Sequence, residues 1–154
     1  MFAAAAPIIA SLPSDIAGNC KPSRAVPVLV INATSDPLVP YRGGGVGFAG
    51  RRGNVISTDD TMTRLRKFNG CADANKTERL PDLDPNDGST VSIISWTNCS
   101  SGAPVVLYRV DGGGHRIPHS KGSPMPMIDR MLGRENHDFD APEVIWAFFR
   151  NRTL

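Results

Sequence analysis

An α/β fold, a mostly parallel sheet flanked by helices, is the class this sequence predicts, and three observations predict it. "PVLVIN" (27–32) is a continuous apolar, β-branched run, the mark of a strand buried on both faces. "STDDTMTRLRKFNG" (57–70) and "DFDAPEVIWAFFRN" (138–151) carry apolar residues at helical spacing between recognisable start and stop signals. "TVSIISW" (90–96) and "PVVLYRV" (104–110) read as further strands between those helices, the order expected of an α/β sheet.

Each element has its own reason. The N-terminal "MFAAAAPIIASLPSD" is apolar, but no basic residue precedes the run, as a secretory signal requires. It is too short, and broken by Pro7, for a membrane span, so the expectation is a buried strand followed by a loop. "SDPLVPY" (35–41) is a proline-bounded loop. In the first helix Ser57 can cap, with Asp60 completing the box; Met62, Leu65 and Phe68 form one stripe, and Gly70 stops the helix. Residues 72–90 are a polar excursion rich in Pro, Asp and Asn. The closing helix has Asp138 or Asp140 as cap and Pro142 in its first turn, with Val144, Ile145, Phe148 and Phe149 facing inward.

At 154 residues, 40% hydrophobic and 21% charged, the chain has the size and composition of one soluble globular domain. Its net charge of +2 is mild and its basic residues are scattered, which argues against nucleic acid as a partner. Cys71 and Cys99 stand at the two ends of the polar excursion, where a crosslink would hold a weakly packed loop, leaving Cys20 without a partner. Three reduced thiols are the alternative. The sequons at Asn32, Asn75, Asn98 and Asn151 are read as chance, since Asn32 ends a strand that looks buried.

Several motifs invite chemistry and are better read otherwise. "GVGFAG" (Gly45 to Gly50) fits the dinucleotide-binding spacing, but more than ten residues and two prolines separate it from the strand, and no helix follows. "DLDPNDG" (82–88) resembles a calcium loop, with its glycine one place late and Ile93 where a bidentate Glu belongs; an Asx-rich turn is expected. His115 and His119 are four apart, yet Pro118 denies them a shared helix face, so no zinc site is expected, and nothing calls for a cofactor.

The stretch "YRVDGGGHRIPH" (108–119) stands out, because three glycines permit backbone angles that other residues avoid, immediately before His115. Asp36 and His115 each follow a buried strand, at the carboxyl edge where open α/β sheets gather functional residues. An acid there can orient and charge-stabilise an imidazole acting as general base. A turn-forming Asp before Pro37 and an ordinary loop histidine remain the blander readings.

At these residues the chain resembles a family. "PVLVINATSDPLVPYRGG" is similar to the acid-bearing segment of the polyhydroxybutyrate depolymerase and feruloyl esterase group of α/β-hydrolases, close to H-G-T-x-D-x-x-V-P-Y-x-G-G after a strand. "LYRVDGGGHRIP" resembles that group's G-G-G-H-x-W-P, which bears its catalytic histidine. "RKFNGC", "WTNC", "DFDAPEVIWAFF" and "FAAAAPIIASLP" match in the right order over essentially the whole chain. The resemblance implies Asp36 as triad acid, His115 as triad base, a Cys71–Cys99 disulfide, and a secreted or periplasmic parent protein acting on an ester or polyester. Asn32-Ala33 replaces the group's His-Gly, and Ile117 its Trp.

One departure is larger. The group's nucleophile lies in G-x-S-x-G, upstream of the acid, and no serine here has a glycine two places before it. Residues 1–154 therefore read as a single partial domain, the acid- and histidine-bearing C-terminal half of an α/β-hydrolase, with three alternatives open: self-association, pairing with an upstream fragment, or a place in a longer chain. No membrane partner is expected. A non-catalytic interaction module on the same scaffold, and more remotely a nucleotide-binding domain using Gly45 to Gly50, are the competing functions.

Overall fold

The structure, a computed structural model, describes residues 2–100, 102–122 and 125–152. Its strands are β1 (Val28–Ala33), β2 (Gly44–Gly45), β3 (Asn54–Val55), β4 (Lys76–Arg79), β5 (Thr90–Trp96) and β6 (Val105–Asp111). Its α-helices are α1 (Ser14–Ala17), α2 (Thr58–Phe68), α3 (Pro126–Leu132) and α4 (Ala141–Phe149). The main sheet runs β1-β6-β5-β4, and β2 and β3 form a small antiparallel pair of their own.

The α/β class holds, but the sheet is mixed and mostly antiparallel, where the sequence led us to expect a mostly parallel one. β1 and β6 pair in parallel from Val28↔Val105 to Ala33↔Val110, whereas β5 runs antiparallel to both β6 and β4. The reason is connection length. Short loops join β4 to β5 and β5 to β6, and a short loop can only reverse the chain, while the path from β1 to β6 is long enough to contain α2. Sequence patterning registered burial but not strand direction.

Every residue of β1 is buried, as its apolar run implies. Its side chains alternate between two layers. Leu29, Ile31 and Ala33 pack with Val91, Val110, Phe139 and Ala141 on the α4 side. Val28 and Val30 pack with Met62, Trp96, Val105 and Leu107 on the α2 side. Each such aliphatic side chain contributes about 1.5–3 kcal/mol by leaving water.

The N-terminal segment lies beside β1 through two parallel bridges, Ala5↔Val28 and Ile8↔Ile31, rather than as a full strand. Pro7 lacks the N–H that would complete the ladder on that side. Asn32 secures the segment instead: its amide donates to Ala10 O and to Thr58 Oγ1, and its Oδ1 accepts from Ala10 N. That buried amide ties together the segment, the end of β1 and the start of α2.

Ser57 caps α2, its Oγ accepting from Asp60 N at 2.9 Å and donating to Asp60 Oδ2 at 2.7 Å. The expected stripe fades along the helix: Met62 is buried, Leu65 half-buried and Phe68 exposed. Gly70 ends it at φ +62°. In α4, Val144, Ile145 and Phe148 pack inward, but Asp140 makes no cap bond with its side chain, which instead holds Ser120.

Cys71 and Cys99 are disulfide-bonded and Cys20 is free and exposed, which decides between the two readings of the cysteines. Between the bonded pair runs β4, unforeseen in the polar excursion; all four of its residues are exposed. Three of these, Lys76, Glu78 and Arg79, are charged, which suits an unpaired sheet edge.

Candidate active site

Two loops leave the carboxyl ends of the parallel pair, one from β1 and one from β6, and they are laced together. Thr34 N donates to Val110 O, Ser35 N to Gly113 O, and Gly112 N to Thr34 Oγ1, at 2.9–3.0 Å. The second loop is also held from its other side, where Gly114 N donates to Arg134 O at 2.8 Å and His115 N to Leu132 O at 2.5 Å. These contacts explain the glycine run. Gly112 has φ +85°, and a Cβ on Gly114 would lie 2.2 Å from Leu132 O and 2.4 Å from the Cα of Gly133. His115 thus enters on a backbone sandwiched between two others.

Asp36 divides its carboxylate between two tasks. Oδ1 accepts from Leu38 N at 2.7 Å and Val39 N at 2.8 Å, the Asx-type turn its place before Pro37 suggests. Oδ2 stands 2.8 Å from His115 Nδ1. The Asp36 side chain is 2% exposed and that of His115 29%, so the contact is shielded while the ring edge reaches solvent. With the carboxylate accepting, Nδ1 is the donor, and Nε2 has no hydrogen-bond partner among the described residues. Tyr41 steadies the same loop, its hydroxyl donating to Asp59 Oδ1 at 2.9 Å. Burial, and then that hydrogen bond, push the phenol above its usual range.

The other histidines also face acids. His119 Nδ1 accepts from Lys121 N and lies 3.3 Å from Asp140 Oδ1. His137 Nδ1 lies 2.9 Å from Asp84 Oδ2, and that hydrogen bond holds the Asp84 carboxyl below the usual range. Sequence reasoning missed this pair, since residues 53 apart in the chain gave no signal. Asp84, Asp87 and His137 bring possible ligand atoms within 4.8 Å of one another. Their oxygens already accept from His137 N, Asn86 N, Ser89 N and Ser89 Oγ, so the cluster works as a clasp between two loops, with the Asx turns expected of "DLDPNDG". Gly45 ends β2 and Phe48–Gly50 form an exposed turn of 3-10 helix, Gly45 packed on Gly50, with no α-helix following directly to receive a phosphate.

The fold and the site together make an α/β sheet that carries an acid and a histidine on adjacent carboxyl-end loops. By sequence the chain is similar to two proteins named as esterases. It is 32% identical over 154 residues to Putative esterase NocK of Nocardia uniformis subsp. tsuyamanensis, covering 96% of this chain and 43% of that protein. It is 31% identical over 118 residues to Feruloyl esterase B of Piromyces equi, covering 75% of this chain and 20% of that protein. The chain spans less than half the length of either relative. No family model matches it, and no solved structure does. The disulfide is compatible with an extracellular protein, and no helix among the described residues is long and apolar enough to cross a membrane.

Proposed function

We propose that residues 1–154 carry the acid and the base of a serine-type carboxylic ester hydrolase, of the polyhydroxybutyrate depolymerase or feruloyl esterase kind. Asp36 is the acid and His115 the base. The observation that supports this most directly is the 2.8 Å contact from His115 Nδ1 to a buried Asp36 carboxylate, with Nε2 left free. In the reaction Nε2 takes the proton of a serine hydroxyl as its oxygen attacks the ester carbonyl. Asp36 stabilises the imidazolium, which then protonates the departing alcohol; water repeats the cycle on the acyl-enzyme. The serine, and the amides of an oxyanion hole, would come from a G-x-S-x-G segment outside these residues, in chain order Ser, Asp, His. The substrate is a short acyl or aryl ester, or a polyester end, met outside the cytoplasm. Ile117, two places past the base and half exposed, offers no flat ring to an aromatic group.

Two measurements test the reading. Residues 1–154 alone should hydrolyse p-nitrophenyl acetate no faster than buffer. Joined to a segment bearing G-x-S-x-G, the protein should turn over, and His115→Ala should lower kcat by about 10^4-fold or more. His119→Ala and His137→Ala should leave kcat/KM within about threefold, because neither the His119–Asp140 pair nor the His137 clasp touches a reacting atom. Equal losses at all three histidines would overturn the assignment of the base.

A further inference from the structure

The segment that holds His115 from behind is itself weakly anchored. α3 buries none of its residues, and Met127, Met131 and Ile128 on it are exposed. Yet Leu132 and Arg134, at its end and just beyond, supply the two carbonyls that receive the amides of His115 and Gly114. Apolar packing does not keep those carbonyls in place.

Arg116 does what packing does not. Its side chain is only 11% exposed, and its two terminal nitrogens pair with different acids, one with Asp129 Oδ1 on α3 and the other with Glu135 Oε2. In the chain, Asp129 and Glu135 flank Leu132 and Arg134. The guanidinium fork therefore grips the segment on both sides of the carbonyls that His115 and Gly114 use. Arginine suits this, because its planar fork presents separate donors to separate carboxylates, where a lysine ammonium is a single point. We infer that Arg116 is a positioning residue for His115: by bracketing residues 129–135 it fixes the backbone that aims the imidazole at Asp36. Arg134, in the same segment, is exposed and among the described residues hydrogen-bonds Gly88 O at 3.5 Å, and serves as the contrast. The inference rests on the reading of His115 as base, but its test measures geometry in this chain and needs no ester turnover, so either can fail without the other.

The test is NMR on the 154-residue chain and three variants, following amide exchange and the downfield Nδ1 proton of His115. Arg116→Ala and Asp129→Asn should each raise exchange at the Gly114 and His115 amides by about tenfold to a hundredfold, the range for losing a charge-assisted hydrogen bond. Both should also broaden or abolish the Nδ1 signal, which a loss of stability elsewhere would not do. Exchange at Val91, in the centre of the sheet, should stay at the wild-type rate, and Arg134→Ala should change neither readout. Should Arg116→Ala fail to fold, Asp129→Asn decides alone, since it removes only one arm of the fork. The inference is overturned if the folded variants keep the Nδ1 signal and the protection of both amides, or if Arg134→Ala loses them equally.

Discussion

Replacing Gly114 by alanine puts one methyl group where the structure has no room for it. The added Cβ would sit 2.2 Å from Leu132 O, 2.4 Å from the Cα of Gly133 and 2.6 Å from its carbonyl carbon, each more than 0.7 Å inside ordinary contact. All three obstacles are backbone, so no side-chain rotation relieves them; residues 132–134 must move away. That displacement breaks or lengthens the bonds from His115 N to Leu132 O and from Gly114 N to Arg134 O. Two hydrogen bonds at about 1 kcal/mol each, added to the 1–3 kcal/mol usual for overpacking, give a loss of about 3–5 kcal/mol. For a chain of this size that lowers Tm by about 6–20 °C. Urea denaturation followed by circular dichroism measures it, with Gly18→Ala as control, because nothing lies within 4 Å of a Cβ there and its φ of −68° is ordinary. Gly18→Ala should fall within about 0.5 kcal/mol of wild type. A Gly114→Ala variant equally close to wild type would show that the glycine run is not there for close backbone approach.

Three further outcomes follow from the fold. Reducing the Cys71–Cys99 bond, which closes a 28-residue separation, should cost about 3–4 kcal/mol in urea unfolding, and alkylation of the unreduced native chain should label Cys20 alone. Ser57→Ala removes the α2 cap and should cost about 1 kcal/mol, read as a lower urea midpoint at unchanged slope. Asp84 is held below its usual value of 3.8 first by His137, and Asp140 below the same value first by the Ser120 hydroxyl. A depressed folded-state value means stability that is present above pH 3.8 and lost as pH falls through the lower folded value. Asp84→Asn should therefore flatten the fall in Tm below about pH 4, and an unchanged acid limb would count against the clasp.

What the sequence by itself determined were features carried by neighbours in the chain. β1 was visible because six consecutive buried positions need apolar, β-branched residues, and α2 because its cap, box and glycine stop lie within fourteen residues. Asp36 and His115 were visible as candidates because each follows a strand run directly, and the glycines beside His115 announced an unusual backbone. Tertiary structure decided everything that depended on partners far along the chain. The direction of β5 and the half-formed ladder of the N-terminal segment depend on how loops return the chain, which no local pattern encodes. The same holds for the site. Only folding brings Oδ2 of Asp36 to 2.8 Å from His115 Nδ1 across 79 positions, pairs His137 with Asp84 across 53, and sets the Arg116 fork around the carbonyls of Leu132 and Arg134. A hydrogen bond or ion pair is a matter of ångströms in space, and residue spacing along the chain fixes such distances only within a single helix, strand or turn.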